Sequence, residues 1–320
     1  MKTFFNSGRI PVLIVMVLLL GLTTCKKEDK DKFFRVKSVN DYFNGVFNGG
    51  TQIIYDGERV WEMSSNDLDG DSSRSEYSYP EANKALESYY EYNGFSWNLE
   101  EKIEYSYQGE NISQMIYYGE LTRETGALDP YMKISMQYQD NDLKEELISF
   151  YDGVSWMDLA KLTYTYSGDK LTQTMMYNNF TGTWEITYKE DVSYSGDNMD
   201  LVVQSTYLEG SYFESYKYDF TYENDQLKTI QTYSKEDGIT WTADYTDTFT
   251  YDSDGNLAST TETEPGTAYK SEFNYEEEKG NIGQFIYRGG GAANMILPMP
   301  TRMSEKSFSE IEKYIAKIKE

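Results

Sequence analysis

The sequence predicts an all-β protein: an antiparallel meander of two-strand repeats, each about 28 residues long, forming a long twisted or solenoid-like sheet with a short C-terminal helix. Three observations lead there. In Lys161–Trp184, Tyr164 and Tyr166 fall on one face of a strand and Thr163 and Thr165 on the other, the period-2 alternation of a half-buried strand. Ser167-Gly168-Asp169 then supplies turn chemistry, and Leu171 restarts the chain in the opposite direction. The same text recurs along the chain in fixed phase, the signature of stacked supersecondary units.

The repeat has two markers. A tyrosine precedes each polar turn and an aliphatic residue follows five positions later: Tyr107/Ile112, Tyr138/Leu143, Tyr166/Leu171, Tyr194/Met199 and Tyr222/Leu227, with Tyr251/Leu257 six apart. A glycine–aromatic turn keeps the same beat at Gly94/Trp97, Gly153/Trp156, Gly182/Trp184, Gly210/Tyr212, Gly238/Trp241 and Gly266/Tyr269. Two positions before each ladder tyrosine sits another aromatic or apolar residue (Tyr77, Tyr105, Met136, Tyr164, Val192, Phe220, Phe249, Phe273), with a polar residue between. One sheet face is therefore a ladder of rings, and cross-strand ring contacts contribute roughly 0.2–1 kcal/mol each. The second strands, such as Leu171–Tyr177 and Ile112–Tyr118, carry apolar residues in both alternating sets, which reads as cover on two sides or as a register not yet placed.

Four segments follow. Residues 1–24 form a targeting segment: Lys2 and Arg9 precede the apolar run Ile10–Leu22, too short for a membrane span of about 20 residues. Residues 25–48 read as a tether opening with Cys25 and Lys26-Lys27-Glu28-Asp29-Lys30-Asp31-Lys32, although Phe33–Phe47 fits a short helix or a strand equally. Residues 49–288 hold the repeats, entered through the hairpin signal Asp56-Gly57, with Asn66–Arg74 as a loop. Residues 289–320 form a Gly/Pro hinge and a capping helix with Phe308, Ile311, Ile315 and Ile318 on one stripe.

Leu22-Thr23-Thr24-Cys25 resembles a bacterial lipobox, which implies lipid attachment at Cys25, the one cysteine of the chain. The lysine and acidic residues after it resemble the surface-export signal of Bacteroidetes lipoproteins. That implies lipid anchorage in the outer membrane, at the cell surface, with the periplasmic face as the alternative. The stretch Phe249–Leu257 (FTYDSDGNL) resembles the tyrosine–aspartate, or RHS-type, repeat of bacterial surface proteins. That family implies a β-rich, non-catalytic shell or scaffold.

Composition narrows the chemistry. Without residues 1–24 the chain keeps 27 basic against 54 acidic residues, a formal net charge of −27, which repels nucleic acid and anionic lipid. There is no histidine, so Ser-His-Asp and Cys-His arrangements and the usual zinc sites are excluded. No phosphate-binding or dinucleotide fingerprint occurs, and no cofactor is expected. Asp252, Asp254 and Asn256 imitate the start of a calcium loop, but position 12 is Thr263; a polar turn is the plainer reading, as it is for Asn66–Asp71. Trp97, Trp156, Trp184 and Trp241 form a row that either stacks on sugar rings or covers its own turns. The expectation is a non-catalytic surface module for a protein or polysaccharide partner. The alternative is a glycan-directed hydrolase using unrecognised carboxylates.

Overall fold

The computed structural model describes residues 33–278, apart from 58, 69, 110, 120–127 and 236–237. The targeting segment, Cys25 and the C-terminal helix expected from sequence lie outside those residues. Eighteen strands follow one another. The first nine are β1 (Phe33–Phe43), β2 (Val46–Asp56), β3 (Arg59–Asp67), β4 (Ser72–Glu81), β5 (Lys84–Tyr92), β6 (Trp97–Gln108), β7 (Asn111–Gly119), β8 (Asp129–Gln139) and β9 (Asp142–Tyr151). The second nine are β10 (Trp156–Ser167), β11 (Lys170–Asn178), β12 (Glu185–Ser195), β13 (Asn198–Leu208), β14 (Ser211–Glu223), β15 (Gln226–Ser234), β16 (Thr242–Tyr251), β17 (Leu257–Glu264) and β18 (Thr267–Glu278). Every strand pairs antiparallel with its sequence neighbours, and no helix occurs among the described residues.

The sheet is not open. β18 pairs back onto β1, from Phe33 opposite Glu278 to Phe43 opposite Tyr269, and the meander becomes an eighteen-stranded barrel. This corrects the solenoid-like sheet expected from sequence. The closing strand comes from residues that the sequence reading gives to the tether: β1 and the start of β2 occupy 33–48. The stretch Asn66–Arg74 is likewise mostly strand, with only the turn between β3 and β4 left as loop. Closure removes the unpaired edges that an open sheet presents.

Bulges in most of the hairpins, though not in β3–β4 or β17–β18, explain the curl and the ambiguous second strands. Thr165 faces Gln173 and Tyr166 faces Leu171, so Thr172 is an extra residue. The same insertion follows Val60, Met199, Leu227 and Leu257. It resets the alternation, so that Leu171, Thr174 and Met176 line the covered face and Gln173, Met175 and Tyr177 the other. Bulges also bend and twist a strand, and their sum accumulates into closure.

The bulge exposes the carbonyl beside it, and the ladder tyrosine of the next hairpin takes that carbonyl. Tyr55 donates to Val36 O (2.7 Å), Tyr79 to Val60 O (2.9 Å), Tyr251 to Leu227 O (2.9 Å) and Tyr275 to Leu257 O (2.8 Å). This is the physical content of the tyrosine–aliphatic spacing: the aliphatic residue is buried, and its carbonyl receives the neighbouring hydroxyl.

The large buried apolar side chains face the barrel interior. They include Leu143, Leu162, Leu171, Val192, Val202, Phe220, Phe249 and Leu257 in one continuous cluster. The outer face is hydrophilic: Lys161, Thr163 and Thr165 alternate with the buried residues of β10. A transmembrane barrel needs an outward apolar band, and this wall has charge there instead.

Two rims result. Tight polar turns close one rim, where the chain enters at Phe33 and leaves at Glu278; this is the terminal rim. The longer glycine–aromatic turns form the opposite, loop rim. Gly153 lies in the loop rim at φ 96°, a left-handed conformation that suits glycine.

Candidate functional site

Two constellations have the chemistry to act: an outer aromatic–cation row near the loop rim, and an inner set of tyrosines and carboxylates.

The outer row is built from a basic column. Arg74, Lys102, Lys133, Lys161, Lys189 and Lys217 stand on alternate strands, each five residues ahead of a ladder tyrosine. Each cation lies over a ring of the following hairpin: Arg74 over Trp97 (4.8 Å to the centroid), Lys133 over Trp156 (4.8 Å), Lys161 over Trp184 (5.0 Å), Lys189 over Tyr212 (4.7 Å) and Lys217 over Tyr233 (4.1 Å). Lys235 covers Trp241 at 4.9 Å. A carboxylate two residues on completes several of these units, as in Lys189–Asp191 (2.6 Å) and Lys217–Asp219 (3.0 Å). Exposed cation–ring contacts contribute roughly 0.5–1 kcal/mol.

The four tryptophans named from sequence all fall in this row. Trp97 also leans on Tyr92 across its turn (5.3 Å), and Trp156 on Tyr151 (5.2 Å). Trp97 keeps 38% of its surface exposed, and Trp156, Trp184 and Trp241 are half-buried. Each ring therefore covers its own hairpin and still presents a solvent-facing part.

Beside the tryptophans, one turn recurs. Asn93 Oδ1 accepts from the backbone N–H of Phe95 (3.0 Å) and Ser96 (2.9 Å), and Asp152 Oδ1 from Val154 (2.8 Å) and Ser155 (2.7 Å). Those backbone bonds hold the Asp152 carboxyl below its ordinary value. The middle residue of the turn points into solvent: Phe95 is 94% exposed, Val154 87% and, in the matching turn, Ile239 81%.

The inner set is a wall of acids under tyrosines. Glu87 accepts from Tyr77 (3.0 Å) and Tyr105 (2.8 Å). Glu101 accepts from Tyr131, and Glu146 from Tyr164. Glu190 is fully covered; its Oε1 accepts from Tyr188 and from Gln204 Nε2 (2.7 Å). Burial pushes both Glu146 and Glu190 up to about 7. It also holds Tyr164 well above its ordinary value. Neither Glu190 Oε2 nor Thr174 Oγ1, opposite it on β11, has a hydrogen-bond partner.

The calcium candidate resolves into a turn. Asp252 Oδ1 accepts from the backbone of Asp254 (2.9 Å) and Asn256 (2.8 Å), and its Oδ2 from Asn256 Nδ2 (3.0 Å). Asp67 Oδ1 similarly accepts from Asp71 N (3.0 Å). Among the described residues no group of three or more acidic, cysteine or histidine side chains gathers around a common point.

Comparison with solved structures gives partial likenesses. A crystal structure of a Bacteroides fragilis protein of unknown function is 16% identical, covers 47% of this chain and 91% of its own, and superposes with a TM-score of 0.26. A porin-like protein from Bacteroides uniformis is 9% identical over 75% of this chain and 96% of its own, with a TM-score of 0.40. A crystal structure of TcdB2-TccC3 is 11% identical over 71% of this chain and 15% of its own, with a TM-score of 0.30. No family model and no curated protein matches the sequence.

Sequence reasoning found the tryptophan row but not the cations over it. The signal was legible: Arg74, Lys102, Lys133, Lys161, Lys189 and Lys217 step by 28, 31, 28, 28 and 28 residues, the same steps as the tyrosines from Tyr79 to Tyr222. The inner acids carried a weaker signal: Glu87 and Glu146 each follow a ladder tyrosine by eight residues, but Glu101 and Glu190 occupy other places in the repeat.

Proposed function

We propose that the chain is a non-catalytic lipoprotein of the cell envelope, acting as a surface binding or scaffold module for a polysaccharide or protein partner. The observation that carries the reading is the outer row: Trp156, Trp184, Tyr212 and Trp241 belong to consecutive hairpins of a closed wall. Neighbouring rings are two strand widths apart, about 10 Å. A periodic partner such as a polysaccharide meets such a row in register, one sugar ring per aromatic, while the cations and their carboxylates hydrogen-bond its hydroxyls. The lipobox-like Leu22–Cys25 and the lysine–acid stretch after it support anchorage at Cys25 and display at the cell surface.

The test is affinity electrophoresis of the chain through gels cast with different polysaccharides, beside a W156A/W184A/W241A variant. Retention by at least one polysaccharide, lost in the variant, supports the reading; equal migration of both proteins in every gel removes it. The hydrolase alternative predicts released oligosaccharides, sensitive to Glu146→Gln or Glu190→Gln rather than to the tryptophans.

A further inference from the structure

The apolar tips of the loop rim are turned to solvent. Phe95, Val154 and Ile239 occupy the same place in three copies of one turn, and each is more than four-fifths exposed. In two of those copies the turn is fixed by a side chain that accepts two backbone N–H groups, so the apolar residue is held outward. Leu68, between β3 and β4, Leu208, at the end of β13, and Val46, at the start of β2, are exposed on the same rim. At the terminal rim the exposed large apolar residues are Ile54 and Trp61, both on one hairpin.

We propose that the loop rim seats on the surface of an electrically neutral lipid bilayer, its apolar tips entering the interface. This goes beyond the reading above: the tips make the contact, not the tryptophan ring faces. The distribution of the tips argues for the partner. They are spread around a mouth whose perimeter is on the order of 100 Å, by strand number and spacing. Val46 has exposed apolar neighbours in Phe43, Phe47 and Tyr269, but the other tips stand apart around the mouth, and a flat fluid surface meets them all at once. The depth order argues the same way. The apolar tip is outermost, the tryptophan follows two residues on, and a cation lies against that ring, as Lys133 lies on Trp156 behind Val154. A bilayer interface is layered likewise: acyl chains, then the level preferred by tryptophan and tyrosine, then phosphate. The formal charge of −25 selects neutral over anionic lipid and opposes a second copy docked mouth to mouth.

The experiment uses the chain begun at Lys26, which keeps all eighteen strands and lacks both the apolar run and Cys25. Flotation with phosphatidylcholine vesicles is compared with an F95S/V154S/I239S variant. The expected result is co-flotation with a blue shift of tryptophan emission, and a loss of vesicle partitioning of roughly tenfold or more in the variant. Because the three side chains are more than four-fifths exposed, the variant keeps the thermal midpoint of the parent, which separates lost contact from lost fold. Absence of flotation, or equal flotation of the variant, overturns the proposal. So does a tip-dependent dimer in sedimentation equilibrium without vesicle binding, which assigns the rim to a second copy.

Discussion

Replacing Glu190 by glutamine removes a charge that the barrel wall resists. Glu190 is fully covered, and burial raises its carboxyl from 4.5 to about 7. Below pH 4.5 the folded and unfolded chains are both protonated there, and the site costs nothing. Between pH 4.5 and 7 the folded chain keeps its proton while the unfolded chain loses it, so stability falls as pH rises. Above pH 7 the loss is complete, at about 3 kcal/mol for a shift of this size. Glutamine has no proton to lose. Its carbonyl can still accept from Tyr188 and Gln204, and its amide can donate toward Thr174 Oγ1, which has no partner. Denaturant unfolding of both proteins at pH 5 and pH 8 measures the difference. E190Q should match the parent closely at pH 5 and exceed it by about 3 kcal/mol at pH 8. Glu146 remains in the variant and keeps part of the pH slope, because burial raises it in the same way. An equal difference at the two pH values, or a variant weaker at pH 8, would refute the assignment of Glu190 as a buried acid held against ionisation.

Tyr251→Phe removes the hydroxyl that closes the Leu227 carbonyl and should cost about 1 kcal/mol in the unfolding midpoint, with the spectrum of the folded state unchanged. Gly153→Ala meets no atom within 4 Å, so its cost is only that of a side chain at φ 96°, about 1–3 kcal/mol by thermal unfolding. Lys217→Met keeps the stem against Tyr233 but removes the cation and its Asp219 partner; a loss under about 1 kcal/mol that shrinks in high salt is expected. Deleting residues 1–43 strips β1, uncovers the edges of β2 and β18, and should turn the protein from a single species into associating material in size-exclusion chromatography.

The hairpins were legible because their signals are local. A Tyr-x-x-x-x-Leu unit names its strand, its turn and its buried pair within a few residues, and the structure puts Tyr166 opposite Leu171 as that unit requires. Closure was not legible, because it depends on a sum. An extra residue, such as Thr172 or Lys228, bends most of the hairpins by a small amount, and only the total over eighteen strands brings β18 to β1. The closing strand itself, FFRVKSVNDYF, lies outside the repeat and alternates weakly, so nothing in it announces a partner more than 220 residues away. The tryptophan row was legible as a row, but its cations sit on the preceding hairpin, and only strand pairing reveals that Lys161 belongs with Trp184. Glu190 was the least visible residue of all: as one carboxylate among 54, it is distinguished only by what surrounds it.

The seam between β1 and β18 sets the order in which the molecule can be completed. Ser271 donates to Asp41 across 230 residues of sequence, whereas every other strand finds its mate within one hairpin or the next. Hairpins can zip as they emerge, each on its predecessor, but the ring has two sticky margins until its final segment is available. A nascent or clipped chain is thus a curved ribbon with both borders bare, and the finished cylinder depends on a seam that no connecting turn holds together.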